Sequence, residues 1–427
     1  MHVFFSGIGG AGIGPLALVA HQAGYNVSGS DKQDSDYIHY LQNHGIVNIV
    51  IEQTAESITK THVQQPIDWF VYSSAVSKEQ PNHPELVFAR DYGITATKRD
   101  EFINKLLNDT GQQMIAIAGT HGKTTTTAMA VWLFKQLGIP ASYSVGAKLS
   151  FGDMGEFNPD AQYFIYEADE YDRNFLHFQP AISIIPGIAY DHPDIYPTED
   201  SYLDAFKQFI TQSKQVHMWE EDARKLQAIQ TDTLKIEATL TNLDALTIPG
   251  EVNRQNAHLV ITAATKLGLC TYPEGVSIMN TFPGVSRRFE RITDNIYSDY
   301  AHTPEKISGA LQLAQEVAGN DVVVVYEGLH NTRQHFIKNE LKELFTGTKK
   351  LYVVPSYLAR EDESLDMLTP EKLVEIVREP SERIASRLDG DLKQAIIDHA
   401  QAGGVVLCFS AGGGGSLDEW LRMEFIK

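Results

Sequence analysis

The sequence predicts an α/β protein of about two or three domains, built on mostly parallel, doubly wound sheets. Three observations carry this. Short apolar runs alternate with helical patterns along the whole chain. Glycine-rich turns join strand to helix at two places, around Gly9 and around Gly122. The length of 427 residues exceeds an ordinary domain of ~100–200 residues.

Composition removes several classes. A hydrophobic content of 43% supplies ample core and argues against disorder. The formal net charge of −20, with no extended basic run, would repel a polyphosphate chain, so no nucleic acid is expected. The two cysteines, Cys270 and Cys408, form no CxxC pair. That excludes a disulfide framework and a thiolate zinc site, and suits a reducing cytoplasm. The first apolar residues are broken by Gly7, Gly9, Gly10, Gly12 and Gly14, and no run nears the ~18 apolar residues of a membrane span. A soluble, cytoplasmic chain with no membrane partner is expected.

Residues 1–105 read as one α/β segment. A buried strand, His2–Ser6, leads through Gly7, Gly9, Gly10 and Gly12 into the helical pattern Leu16–Ala23, and a second strand ends at Ser30-Asp31. Such a turn lets a diphosphate approach the backbone, and an acid after the second strand can hold a sugar hydroxyl. The strand Trp69–Tyr72 presents Ser73 and Ser74 at its carboxyl end.

Residues 106–283 carry the most specific motif. The strand-like Met114–Ala118 runs into Gly119-Thr120-His121-Gly122-Lys123-Thr124-Thr125 and then a helix. Backbone amides and the helix N-terminus face a phosphate, the lysine reaches its outer oxygens, and the hydroxyl meets Mg²⁺, so ATP is the expected ligand. The longer form of the loop opens on a glycine where Ile117 stands here. Two further strands end at Glu167-Ala168-Asp169-Glu170 and shortly before Asp191-His192. In a parallel sheet these ends share an edge with the loop. Thr124, Glu167 and His192 are the candidate metal ligands, for Mg²⁺ or Mn²⁺. Glu170 reads as a solvated helix cap. Residues 284–427 alternate again, with strands at Val322–Tyr326, Leu351–Val354 and Val405–Phe409 and a glycine loop at 412–415.

The ordered set of motifs resembles the Mur ligases. To the runs above it adds Asn253-Arg254-Gln255-Asn256, Arg287-Arg288-Phe289 and Ser298-Asp299-Tyr300-Ala301-His302, and it spans essentially the whole chain. The resemblance implies an N-terminal Rossmann-like UDP-sugar domain, a central P-loop ATPase domain and a C-terminal Rossmann-like domain helping to bind amino acid and ATP. It implies that Gly9, Ala11, Gly12, Asp31, Ser73 and Ser74 contact the UDP substrate. It implies that Asn253, Asn256, Arg288 and Asp299 complete the ATP site, that Lys123, Glu167 and His192 carry catalysis, and that His302 and Arg333 face the amino acid. The substrates it implies are UDP-N-acetylmuramate and L-alanine or a short peptide, in a monomer or homodimer. The glycine loop and the threonine-rich string are of the alanine-adding style. The expected reaction runs through an acyl phosphate, with His192 or His302 as base.

Departures leave the acceptor open. Val252 stands at a usual histidine, Gly187-Ile188-Ala189-Tyr190 replaces Asn-Ile-x-x before Asp191-His192, and His330 falls at the first of two arginines. Tyr171, Asp194-Ile195-Tyr196 and Asn331-Thr332 resemble the tripeptide-recycling member instead. A non-catalytic ATP-binding relative and an NAD-dependent oxidoreductase are the weaker alternatives.

Overall fold

Alternating strands and helices bring the segments that leave parallel strands to one edge of each sheet. The computed structural model describes residues 1–73, 76, 80–229, 231–237, 243–358, 361–362, 364–410 and 415–426. Among these residues three sheets form.

The first has the order β3-β2-β1-β4-β5 and is parallel throughout. Its strands are β1 (His2–Ser6), β2 (Asn26–Ser30), β3 (Ile49–Val50), β4 (Trp69–Tyr72) and β5 (Thr95–Lys98). Alternate residues of its central strands feed two cores. Val3, Phe5, Trp69 and Val71 pack with Leu16 and Phe102, while Phe4 and Phe70 pack with Ile58 and Phe88. A strand covered on both faces has no polar side, which is why β1 reads as a continuous apolar run.

The second sheet runs β12-β11-β10-β6-β9-β7-β8. It comprises β6 (Gln113–Ile117), β7 (Ala141–Ser144), β8 (Gly155–Glu156), β9 (Tyr163–Glu167), β10 (Ile182–Ile185), β11 (Val216–Trp219) and β12 (Leu234–Glu237). Only the short β8 is antiparallel, to β7. The third sheet runs β13-β14-β18-β15-β16-β17 and comprises β13 (Glu290–Thr293), β14 (Ile296–Asp299), β15 (Val322–Leu329), β16 (Lys350–Tyr357), β17 (Arg383–Ala385) and β18 (Val405–Phe409). Val322 and Val324 of β15 pack with Ile307 and Leu311, and Val323 and Val325 pack with Leu392 and Ile396. Each such buried valine contributes on the order of 1.5–2 kcal/mol.

The chain divides into two compact units, Met1–Leu246 with Gln255–Phe282, and Thr247–Arg254 with Pro283–Lys427. The first unit therefore holds the first two sheets, and the division passes inside the helix Glu251–Lys266. No helix among the described residues is long and apolar enough to cross a membrane.

Candidate functional site

Strand β6 lies between β9 and β10, parallel to both, so the segments leaving these three strands meet at one carboxyl edge. The loop after β6 turns at Gly119 (φ 150°) and Gly122 (φ 78°) into the helix Lys123–Gln136. A Cβ on Gly119 would come within 2.8 Å of the Gly187 carbonyl oxygen, so a side chain is excluded there by space as well as by φ. Thr120 fastens the loop to the segment after β10. Its amide donates to Gly187 O (2.9 Å), its hydroxyl donates to Ala189 O (2.6 Å) and accepts from the Ala189 amide (2.9 Å). The Tyr202 hydroxyl lies 2.6 Å from the same oxygen. At Gly187 a Cβ would sit 1.9 Å from His121 Cε1, so the imidazole of His121 lies directly over this glycine.

The helix after the loop has no side-chain cap at its N-terminus, so its first amides and its dipole are available to an anion. Lys123 Nζ donates to Gly119 O (2.6 Å) and to Glu170 Oε2 (2.5 Å). Glu170 is only 1% exposed. This corrects the sequence expectation: the acid read as a solvated cap is the buried partner of the phosphate-loop lysine. Burial opposes the charge on Lys123, yet Glu170, Asp169 and Glu167 hold its ammonium above the ordinary lysine range. Burial likewise opposes ionisation of Asp169, and Lys123 and Arg99 overcome it, keeping that carboxyl below the usual range. The Thr124 hydroxyl donates to Glu167 Oε1 (2.9 Å), and the Gly146 amide donates to Glu167 Oε2 (3.0 Å).

His192 adopts φ 58°, a left-handed conformation costing about 1 kcal/mol outside glycine. Its Nε2 lies 3.7 Å from Glu170 Oε1 and 3.8 Å from Asp191 Oδ2, with Tyr171 packed edge-on at 5.0 Å. Among the described residues, no three His, Cys, Asp or Glu side chains gather as a metal cage. The Thr124–Glu167 pair is nevertheless the donor set that Mg²⁺ takes when phosphate and water supply the remaining oxygens. Thr125 is half-buried. Asn256 is buried, and its Nδ2 lies 3.3 Å from where a Cβ on Gly122 would stand.

The first glycine loop is built differently. The Gly9 amide donates to Asp31 Oδ2 (2.8 Å) and the Lys32 amide to Asp31 Oδ1 (2.7 Å). Both carboxylate oxygens of the expected sugar-binding acid are therefore engaged by the backbone around the loop. Ala11 is exposed, and Gly12 has Arg99 beside it, Nη1 lying 2.3 Å from an added Cβ. Beneath the loop, Ser6 donates to Glu85 Oε2 (2.6 Å) and Gln53 donates to Ser6 Oγ (3.1 Å). Burial pushes the Glu85 carboxyl up to about 7, against hydrogen bonds from Ser30 and Ser6. Ser73 is half-buried, and Ser74 lies outside the described residues, as do residues 412–414 of the last glycine loop.

The second unit carries its own cluster. Asp299 Oδ2 accepts from the Phe289 amide (2.7 Å) and Oδ1 from the Ala301 amide (2.7 Å). It thereby fixes a turn in which Arg287 (φ 57°) and Phe289 (φ 49°) are left-handed. The guanidinium groups of Arg287 and Arg288 lie 4.6 and 5.5 Å from the Tyr300 ring centroid. His302 Nδ1 lies 2.8 Å from Tyr300 O. A carbonyl only accepts, so Nδ1 carries the proton and Nε2 the lone pair. Burial, then Lys306 and Arg333, hold the His302 imidazole well below its ordinary value, so it is neutral at neutral pH. His330 Nδ1 lies 3.5 Å from Glu361 Oε1, and Glu361 Oε2 accepts from the Thr332 amide (2.9 Å). Asn253 donates to Pro249 O (2.9 Å), and Val252 is exposed.

Sequence reasoning gave no role to Arg99, Asp169 or Tyr202, read Glu170 as a solvated cap, and used Tyr196 only as a point of resemblance to the tripeptide-recycling member. The acidic pair lies within a run whose composition marks it, but only three-dimensional packing distinguishes its buried members. The Tyr196 hydroxyl donates to Glu170 O (2.6 Å), anchoring that turn.

Comparison with known proteins places family matches along the chain. The Mur ligase family catalytic-domain model matches residues 2–110, the Mur ligase middle-domain model 117–242, and the Mur ligase glutamate-ligase-domain model 287–412. The UDP-N-acetylmuramate–L-alanine ligase of Mesorhizobium japonicum is 29% identical over 468 residues, covering 98% of this chain and 96% of the relative. That of Syntrophomonas wolfei is 29% identical over 395 residues, covering 83% and 82%. Among solved structures, the UDP-N-acetylmuramate-alanine ligase of Thermotoga maritima has a TM-score of 0.78 at 23% identity, covering 99% of this chain and 98% of that one. A murein peptide ligase of Psychrobacter arcticus has a TM-score of 0.65 at 22% identity, covering 100% and 99%. These two likenesses concern the fold.

Proposed function

We propose, for a chain that belongs to the Mur ligase family, that it uses ATP to join L-alanine to the lactyl carboxylate of UDP-N-acetylmuramate, in the cytoplasm. The observation that carries this reading is the meeting of Lys123, Thr124, Glu167 and the His192–Glu170 pair around one sheet edge. We assign the UDP-sugar to residues 1–105, ATP chiefly to 106–283 and the amino acid to 284–427.

In the first step a lactyl carboxylate oxygen takes the γ-phosphoryl group and ADP leaves, giving an acyl phosphate. Lys123 exchanges the Glu170 carboxylate for phosphate oxygens, one anion for another, which is the positioning and charge stabilisation that phosphoryl transfer needs. Mg²⁺, or Mn²⁺, bound at Thr124 and Glu167 with His192 nearby, would supply further charge neutralisation. Asn253, Asn256, Arg288 and Asp299 would hold the remainder of the nucleotide. In the second step the alanine amine attacks the acyl carbon, loses a proton, and phosphate leaves as the amide forms. Arg333 would receive the amino-acid carboxylate. His302, neutral with its lone pair on Nε2, and His192 are the two candidate bases for the amine proton.

The test is phosphate release from ATP and Mg²⁺ with UDP-N-acetylmuramate, comparing L-alanine with L-Ala-γ-D-Glu-meso-diaminopimelate, with products weighed by mass spectrometry. Turnover with alanine is expected, and silence with both acceptors would overturn the reading. A second reading, tripeptide addition, rests on the resemblance of Tyr171, Tyr196 and Asn331-Thr332 to the tripeptide-recycling member, and on His330, which faces Glu361 where an arginine is usual. Turnover mainly with the tripeptide would establish it.

A further inference from the structure

Arg99 stands directly after β5, at the start of the helix Arg99–Thr110. It faces two ways. Nη1 lies against Gly12 of the first glycine loop, in the space a side chain there would need. Nη2 donates to Asp169 Oδ2 at 2.9 Å. Asp169 also accepts from the Tyr171 amide at 3.2 Å, and its neighbour Glu170 grips Lys123. The result is an alternating series of charges, Arg99, Asp169, Lys123 and Glu170, running from one glycine loop to the other within the first compact unit. A guanidinium suits this place because its planar fork can serve two anions on different edges at once.

The geometry points to Arg99 as a positioning residue that couples the two loops, so that an anionic substrate on the first loop orders the acidic turn that holds Lys123 for ATP. This rests on the reading of the first loop as the UDP-sugar site. With Asp169 alone bound, one edge of the guanidinium is fixed. An anion lying along Gly9–Gly12 engages the other edge and immobilises the fork, and Asp169 with it. The second ligand then meets a turn already ordered, which is positive coupling through shared ordering.

The measurement is calorimetric binding of a non-hydrolysable ATP analogue with Mg²⁺, with and without UDP-N-acetylmuramate. In the wild-type chain the sugar nucleotide should tighten the analogue at least about 5-fold. Arg99→Gln and Asp169→Asn should each bring that ratio close to one, and Arg99→Lys, which keeps the charge but loses the fork, should retain part of it. Lys98→Met is the control, because Lys98 ties the same junction to the acidic turn through Asp172; it should leave the ratio unchanged. Undiminished coupling in Arg99→Gln, or in Arg99→Lys and Asp169→Asn should the glutamine variant not fold, overturns the proposal. Equal loss in Lys98→Met overturns it too, since any bridge would then serve, as does independent binding in the wild type. A wild-type chain that binds the analogue but no UDP-N-acetylmuramate overturns the substrate reading itself, and is distinguished from these by the sugar titration alone.

Discussion

The two glycine loops of the first unit occupy the same place in their sheets and carry different charged groups. Each leaves the end of a central parallel strand and enters a helix. Around Gly9 the loop amide is bound by a carboxylate, Asp31, and the cation beside Gly12, Arg99, comes from another element. Around Gly122 the loop carries its own cation, and a buried acid from β9's exit keeps it in place. Glycine spacing thus sets the backbone path in both, while the charged groups differ: one loop runs into its own lysine, Lys123, and the other has an arginine, Arg99, from the start of another helix.

Removing Lys123 tests the contrast most severely. Lys123→Ala should lower kcat by about 1,000-fold in phosphate release, with the circular dichroism spectrum unchanged; near-normal turnover would make the second loop no different from the first. Next comes its partner. Glu170→Gln leaves a largely buried ammonium without its nearest carboxylate and should cost about 3–4 kcal/mol in urea unfolding. A change near zero would show that Glu170 is dispensable and that the sequence reading of a solvated acid was nearer the truth.

Beneath the first loop the sign reverses. The Glu85 carboxyl stays neutral in the folded chain up to about 7, from an ordinary value of 4.5. The unfolded chain ionises it earlier, so its neutral form stabilises the fold fully below the unfolded value. That contribution is lost as pH rises from there through about 7. Glu85→Gln should therefore be more stable than the wild type at pH ~8, by about 3 kcal/mol, with the gap closing towards pH ~4. A pH-independent gap would deny the buried acid under this loop. The smallest effect sharpens the steric side of the comparison. Gly187→Ala should cost about 1–2 kcal/mol and weaken ATP-analogue binding by displacing His121, whereas an alanine at Gly10, whose nearest contact would be 3.2 Å, should be milder.

Much of this was legible in the sequence, for reasons that differ by residue. Continuous apolar runs such as Val322–Tyr326 announced strands buried on both faces, and β15 is longer than that run because its pairing with β16 continues through Glu327 and Leu329. Thr124 and Glu167 could be paired beforehand because a parallel sheet brings strand exits to one edge, and they are hydrogen-bonded. Glu170 could not be separated from its neighbours. Its run has the composition of a helix start, yet it leads into a short 3₁₀ segment broken by left-handed Asp172 and Arg173. Arg99 was invisible because its partners lie 70 residues downstream, at Asp169, and in the first glycine loop. Gly187 read as a departure; that His121 packs over it is visible only in space.

The knot at Thr120 has a consequence for how a ligand would experience this protein. Bonded at its amide and at its hydroxyl to the exit of the adjacent strand, the phosphate loop loses its conformational freedom when the chain folds, before any nucleotide arrives. A nucleotide would then meet a loop backbone already in place. Little of its binding free energy would be diverted into organising that backbone, and the lifetime of the complex would be governed by the contacts that must break on departure.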